Sequence, residues 1–359
     1  VSYFLYGSMS PEGIRHVIMG TVDGAQAQLS GYSLEARPKP FALAFRDPNS
    51  TLDGLYVSGL SADQSDRVRF FLDVIGELQL GECRVDGAVQ TVQFVSGSKV
   101  RREGNDLLGQ AEVYAAQEIM GYFGRLSAVA VRPQLAMILA RAEARQAAQT
   151  PKPAVLRSST GLDQITQHSM KTPHEGFFLT RSYRLQHPKF DGSTSPELTR
   201  EAFVATDAAI VLPYDPVRDR VLLIEQFRMG PYARGDAKPW MLEPVAGRVD
   251  GGESPETCAR RECEEEAGLT LHELRKISSH YCSPGCSSEY FHLFLGLCDL
   301  PDDAAGHGGL ETEHEDLKVH VIDYADAMAL LDSGEADNGP LVLALLWLSK
   351  SRDALRASA

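Results

Sequence analysis

Apolar residues in the N-terminal part of the chain come in short runs cut by Gly, Pro, Asp and Asn, the run length of strands. Val1 to Ser8 (VSYFLYGS) is apolar and aromatic and stops at a glycine, which predicts a buried strand leading into a loop rather than a signal peptide. Pro11 to Met19 predicts a helix with Ser10 as N-cap and Pro11 at its first position. Leu29 to Ala36, Ala42 to Phe45, Gly54 to Ser58 and Gln90 to Val95 read as strands, and Asp63 to Leu72 as a helix. Asp106 to Arg145, rich in Ala, Leu, Gln and Arg, reads as helical. The pattern predicts a small mixed domain over residues 1–145.

Gln146 to His174 carries Pro151, Pro153, Pro173 and Ser158-Ser159-Thr160-Gly161 without a hydrophobic period, which predicts a linker over residues 146–174. Strands resume at Phe177 to Leu185, Arg200 to Leu212 and Arg220 to Phe227, the last two joined by a turn through Asp215-Pro216. The run VLLIEQF alternates only partly, so it reads as a central strand covered on both faces. Trp240 to Ala246 reads as a strand. Pro255 to Ala267 reads as a helix, with Ser254 as N-cap, Pro255 at its first position and Gly268 as C-cap. Strands at Ile277 to Cys282, Tyr290 to Cys298 and Lys318 to Ile322, then helices at Tyr324 to Leu331 and Pro340 to Arg356, complete an α/β sandwich over residues 175–359.

Composition narrows the function classes. The hydrophobic fraction of 43% and charged fraction of 23% are those of a globular protein. A net charge of -14 argues against nucleic acid as a partner and suits local cation binding. The longest apolar run, Leu341 to Leu348, is far short of the ~18 residues of a membrane span, so no membrane partner is expected. Cys83, Cys258, Cys263, Cys282, Cys286 and Cys298 lack the density of a disulfide scaffold, which predicts a reducing, cytoplasmic setting. Cys282 and Cys286 do not have a zinc spacing, nor do His280, His292, His314 and His320.

The chemistry concentrates in Gly247 to Leu269, GRVDGGESPETCARRECEEEAGL. On a helix Glu262, Glu265 and Glu266 fall at i, i+3 and i+4 and share a face. Like charges at that spacing each cost about 0.2–0.5 kcal/mol in an isolated helix, and the helix C-terminus disfavours anions further. A hard divalent cation is the natural neutraliser. The spacing of Gly247, Glu253, Arg261-Glu262, Glu265-Glu266 and Gly268 resembles the Nudix box, with Cys263 where a bulkier aliphatic residue is usual.

That resemblance implies an α/β/α Nudix sandwich and Mg²⁺-dependent pyrophosphate hydrolysis, with Mn²⁺ as the substitute ion. It implies Glu262 and Glu266 as metal ligands, Glu265 shared with a second ion, the Ala246 carbonyl in the metal shell, and Arg261 orienting the carboxylates. Pro284, Leu198-Thr199-Arg200-Glu201, Glu225-Gln226-Phe227-Arg228, Leu242 to Gly247 and Glu313-His314-Glu315-Asp316 resemble the ADP-ribose pyrophosphatase branch of the family. By that resemblance Glu313 or Glu315 reaches the metals, with Glu313 favoured as base and Glu315 as a further ligand. Arg228 and Pro284 contact substrate, Phe177 or Phe178 stacks on adenine, and Arg200 with Glu201 contacts substrate across a homodimer. The expected reaction is ADP-ribose to AMP and ribose 5-phosphate. The alternatives are another nucleoside diphosphate sugar or dinucleotide as substrate, a bifunctional protein, or a non-catalytic nucleotide sensor.

In the N-terminal part, Tyr6-Gly7-Ser8-Met9 ends a strand in a glycine loop and resembles the opening of γ-glutamylcyclotransferase-like (AIG2-like) domains. The resemblance implies a small mixed β-barrel/α fold whose loop N–H groups hold a carboxylate. The acid expected three residues after Asp73 is replaced by Gly76, with Glu77 adjacent. A fold retained for binding, dimerisation or regulation is therefore the expectation.

Overall fold

The structure, a computed structural model, describes residues 1–34, 41–97, 110–176, 178–309 and 316–359. It divides into two compact units. The first is Val1–Lys152 with Asp250–Glu253, and the second is Pro153–Val249 with Ser254–Ala359.

In the first unit β1 (Tyr3–Tyr6), β2 (Ala25–Ser33), β3 (Phe45–Val57), β4 (Glu77–Val85) and β5 (Ala88–Ser96) close a barrel in the order β1-β3-β2-β4-β5. The parallel pairing of Tyr3 with Gln93 makes the closure. The helices are α1 (Glu12–Met19), α2 (Ala62–Ile75), α3 (Gln110–Gly121), the single turn α4 (Ala128–Val131) and α5 (Leu135–Ala147). Phe4, Tyr6, Phe71 and Phe94 are fully buried in one core with Ile14, Val68 and Ile119 from the helices. Burying each such side chain is worth about 1.5–3 kcal/mol.

Sequence and structure differ here in several places: β2 starts four residues before the expected Leu29, and the expected helical run Asp106–Arg145 is split into α3, α4 and α5. Ser10 does not cap α1; its hydroxyl donates to the Leu5 carbonyl at 3.2 Å, and Pro11 takes the N-cap position. Of the strand expected at Ala42–Phe45 only Phe45 is in a strand, β3, which runs on without a break to Val57 and takes in Gly54–Val57 of the next expected strand. Its register against β2 jumps from Ser30↔Thr51 to Tyr32↔Arg46. Asp47-Pro48-Asn49-Ser50 is thus accommodated as a bulge, held by the Asp47 carboxylate accepting from Asn49 N–H and Ser50 Oγ. Strand β4 escapes the hydrophobic pattern because Cys83 is its only fully buried residue.

The second unit holds two sheets among the described residues. The smaller is β6 (Thr166–Glu175), β7 (Leu179–Gln186) and β8 (Leu198–Val204), in that order. The larger contains β9 (Asp207–Asp215), β10 (Arg220–Phe227), β11 (Trp240–Glu243), β12 (Val245–Arg248), β13 (Glu273–Tyr281), β14 (Tyr290–Leu297), β15 (Gly306–Gly308) and β16 (Leu317–Asp323). Its main path runs β13-β14-β9-β10-β16-β15, with β11 on β10 and β12 on β9. The helices are α6 (Met229–Arg234), α7 (Pro255–Ala267), α8 (Tyr324–Ser333) and α9 (Gly339–Ala357).

Alternate residues of β9 serve opposite faces. Ala209 and Val211 pack with Cys258, Ala259 and Cys263 of α7. Ile210 and Leu212 pack with Leu341, Ala344, Leu345 and Leu348 of α9. A helix therefore covers each face, and the expected α/β/α sandwich is what the strand period of two produces. Val221 to Ile224 of β10 are buried, as expected for a central strand.

Several expected boundaries move, among them the start of β13, at Glu273 rather than Ile277. Residues 166–174 of the expected linker, with Glu175, form β6. Its side chains are mostly polar and all exposed or half-buried, so it carries no hydrophobic signal. The run Arg200–Leu212 is two strands, β8 and β9, in different sheets. The break falls at Ala205, whose N–H turns to Ser288 Oγ at 2.9 Å. Trp240–Ala246 is likewise β11 and β12, separated by Pro244, which has no N–H to continue a ladder.

Candidate active site

Helix α7 forms over the expected residues. The Ser254 hydroxyl accepts from Thr257 N–H at 3.1 Å, Pro255 opens the first turn, and Gly268 ends the helix at φ 63°. Its buried stripe is Cys258, Ala259, Cys263 and Glu266. The first three fix the helix on β9 and β12, and burial pushes the Cys263 thiol well up, so it acts as a small hydrophobe. The fourth is a carboxylate on an otherwise apolar stripe, only 3% exposed. Such burial demands a partner. One is the Ala246 N–H, which donates to Glu266 Oε2 at 3.3 Å.

Strand β12 shapes the rest. Gly247 leaves room for Glu262, because a Cβ built there falls 1.8 Å from Glu262 Oε1. Arg261 Nη1 lies 2.7 Å from Glu262 Oε1 and 2.8 Å from Glu265 Oε2, so one guanidinium holds both carboxylates. Arg261 Nη2 also donates to the Arg248 carbonyl at 3.3 Å, which ties this cluster to β12. Ala246, Arg261, Glu262, Glu265 and Glu266 are thus brought together. Beside the last turn of α7 lies a cavity of about 740 Å³, lined by Glu265, Glu266, Gly268, Asp303, His307 and Gly308 among others.

Other expected residues stand elsewhere. Arg228 Nε donates to Glu243 Oε2 at 2.6 Å, at the junction of β10, β11 and α6. Arg200 and Glu201 lie on β8, in the smaller sheet, opposite Tyr183 and Ser182 of β7. Pro284 is in the loop between β13 and β14. Phe178 is exposed and meets Phe203 edge-on at 6.4 Å. Phe177, Glu313 and Glu315 lie outside the described residues.

Among the described residues no three His, Cys, Asp or Glu side chains are close enough together to hold a metal ion. The donor set nevertheless fits a hard cation in kind. It is oxygen-only, carried on one helix face, and includes a buried carboxylate. Glu262, Glu265, Glu266 and the Ala246 carbonyl are the groups that would hold the ion.

In the first unit Tyr6 is fully buried. Its hydroxyl donates to the Val95 carbonyl at 2.5 Å and accepts from Ala44 N–H at 2.9 Å, and burial raises its pKa to about 12. Gly7 has φ 54°, Ser8 Oγ accepts from Phe41 N–H at 3.2 Å, and Met9 is buried. At Gly76 even a Cβ falls 2.4 Å from Val95 Cγ1, and the neighbouring Glu77 is exposed. An acid side chain at position 76 would therefore have to displace the Val95 side chain.

Two further carboxylates matter. Glu243 stands within the quoted Leu242–Gly247 stretch, so pairing charges across that stretch finds it. Glu112 of α3 carries no local signal. It is 4% exposed and bonded to the Ser8 hydroxyl and the Phe41 N–H, and its Oε1 has no hydrogen-bond partner among the described residues.

The NUDIX domain family matches residues 205–345. An ADP-ribose pyrophosphatase of Escherichia coli (strain K12) is 40% identical over 205 residues, covering 57% of this chain and 97% of that protein. An ADP-ribose pyrophosphatase of Haemophilus influenzae is 40% identical over 190 residues, covering 52% of this chain and 87% of that protein. A GDP-mannose pyrophosphatase of Escherichia coli O139:H28 is 30% identical over 188 residues, covering 52% of this chain and 96% of that protein. The carboxylate-bearing helix seated on Ala246-Gly247 and these relatives lead to one conclusion: the chain belongs to the Nudix hydrolase family and is an enzyme of that class.

Proposed function

We propose that the enzyme hydrolyses the pyrophosphate bond of ADP-ribose, giving AMP and ribose 5-phosphate. The observation that carries this reading is the set Glu262, Glu265 and Glu266, gathered by Arg261 and β12 in a chain that over 205 of its residues is 40% identical to an ADP-ribose pyrophosphatase. A divalent ion, Mg²⁺ or in its place Mn²⁺, would neutralise phosphate oxygens and acidify a bound water. Glu262, Glu266 and the Ala246 carbonyl are its proposed ligands, with Glu265 shared and Glu315 completing the set. Arg261 keeps Glu262 and Glu265 aimed. Glu313 is the proposed base that takes the proton of the attacking water. The water oxygen bonds to one phosphorus while the bridging P–O bond breaks. Arg228, held by Glu243, meets phosphate or ribose, and Phe177 or Phe178 stacks on the base. Pro284, Arg200 and Glu201 complete the substrate contacts, the last two across a homodimer of the second unit. In this reading the enzyme is cytoplasmic, with neither nucleic acid nor membrane as partner.

Turnover of ADP-ribose, GDP-mannose and other nucleoside diphosphate sugars with Mg²⁺ tests the assignment. ADP-ribose should be the fastest. Faster release from GDP-mannose would replace it with the second reading, which the 30% identical GDP-mannose pyrophosphatase supports.

For the first unit we infer a γ-glutamylcyclotransferase-like fold kept for binding or regulation, joined to the Nudix unit near residues 146–174. The closed space at Gly76 supports loss of the ancestral acid. Release of 5-oxoproline from a γ-glutamyl substrate would contradict this.

A further inference from the structure

The loop between β13 and β14 contains two thiols, Cys282 and Cys286, separated by Ser283-Pro284-Gly285. Both are free and exposed, whereas the other four cysteines are buried. The backbone folds them toward each other: Cys286 N–H and Ser287 N–H both donate to the Ser283 carbonyl, at 3.1 and 2.9 Å. The side chains are placed reciprocally. Cys286 Sγ lies 3.3 Å from Ser283 Oγ, the neighbour of Cys282. Cys282 in turn is hydrogen-bonded by the hydroxyl of Ser287, the neighbour of Cys286. The loop ends are anchored, through Cys286 O accepting from Phe203 N–H at 2.8 Å and Cys282 N–H donating to Glu289 O at 3.4 Å. A short cross-link between the two cysteines would therefore draw on side-chain rotation more than on movement of the strands.

We propose that Cys282 and Cys286 are a reversible oxidation site that closes a disulfide ring across Ser283-Pro284-Gly285. The oxidant is a low-molecular-weight disulfide, RSSR. The Cys286 thiolate attacks one of its sulfurs and displaces RS⁻, leaving a mixed disulfide. The Cys282 thiolate then attacks the Cys286 sulfur and displaces the second RS⁻. The protein pair loses two protons and two electrons, and RSSR becomes two RSH. The order follows from the surroundings. Partial desolvation of the sulfur by the loop, then the Glu289 carboxylate 3.2 Å away, raise the Cys282 thiol, so it is the poorer first nucleophile.

A consequence for turnover rests on the reading of Pro284 as a substrate contact. Closing the ring constrains Pro284, and misplacing a substrate contact by about 1 Å can cost up to roughly a hundredfold in rate.

The test treats the full chain with oxidised glutathione and maps its peptides by mass spectrometry, with ADP-ribose turnover measured in parallel. The expected result is an internal Cys282–Cys286 disulfide that dithiothreitol reverses, with turnover falling about tenfold. Cys282→Ser should accumulate glutathione on Cys286, and Cys286→Ser should accumulate far less on Cys282. The double serine variant should keep its turnover under oxidant. Two unlinked adducts, or a bond to another chain, would overturn the site whatever the substrate proves to be. A complete internal disulfide with unchanged turnover would overturn the regulatory consequence.

Discussion

Gly247 and Glu262 occupy complementary space: the glycine lacks a Cβ where the Glu262 carboxylate oxygen sits, 1.8 Å from the position that atom would take. The glycine is thus required by a neighbouring side chain rather than by its own backbone angle. Gly247→Ala should push the carboxylate away while the flexible Glu262 stem absorbs the clash. The expected result is a chain that folds with near-normal circular dichroism and loses turnover by roughly a hundredfold, since a displacement of about 1 Å can cost that much. Turnover within threefold of the parent, about 0.7 kcal/mol, would mean Glu262 is not held for catalysis.

Glu266→Gln separates charge from shape. The amide keeps an acceptor for the Ala246 N–H and fills the same buried space, so the core of α7 and β9 should stand. The lost anion removes a proposed metal ligand, and turnover should fall by about a hundredfold or more; even outer-shell substitutions at metal sites cost about 10–100-fold. Isothermal titration with Mn²⁺ checks the cause. Metal binding and turnover like the parent's would remove Glu266 from the ligand set.

Arg261 bridges Glu262 and Glu265 through one nitrogen and also reaches the Arg248 carbonyl. Arg261→Lys keeps one positive charge but not the planar spread of donors. It should retain part of the activity, while Arg261→Ala releases two like-charged carboxylates and loses about tenfold more. Both variants should need more Mg²⁺ to reach half-maximal rate. An Arg261→Ala variant with an unchanged Mg²⁺ requirement would limit this residue to helix packing.

These expectations were legible because the elements behind them are local. Ser254, Pro255 and Gly268 state the bounds of α7 within a single stretch, and Glu262, Glu265 and Glu266 share a face by helical period alone. The partner of Glu262 at Gly247 lies close in sequence, so the same stretch holds both. Polar edge strands were not legible: β6 buries almost nothing, so no apolar alternation announces it. Breaks inside apolar runs carry no local signal either. Ala205 and Pro244 redirect the chain through tertiary bonding and a missing donor, while the side chains around them still read as strand. Glu112 of α3 meets Ser8, in the turn after β1, from far along the chain, and no local pattern encodes that pairing.

Glu112 makes a pH-dependent prediction that is independent of the Nudix site. Burial raises its carboxyl above the ordinary glutamate range, and the Ser8 hydroxyl and Phe41 N–H only partly oppose that rise. Above its folded pKa the buried group is ionised, with one oxygen lacking a hydrogen-bond partner among the described residues, and it costs the first unit stability. As pH falls through that value, the folded chain takes up a proton that the unfolded chain still releases. Stability should therefore rise with acidification until the pH reaches the ordinary glutamate range near 4. Glu112→Gln carries no such proton. It should be at least as stable as the parent at neutral pH and should lack this gain on acidification. Trp240 and Trp347 both lie in the second unit, so tryptophan fluorescence cannot follow the barrel. Hydrogen–deuterium exchange of the peptide spanning α3, compared with the parent from neutral to mildly acidic pH after correction for intrinsic exchange rates, reads the effect directly. Parallel pH profiles for parent and variant would show that Glu112 is already neutral, or already compensated, throughout that range.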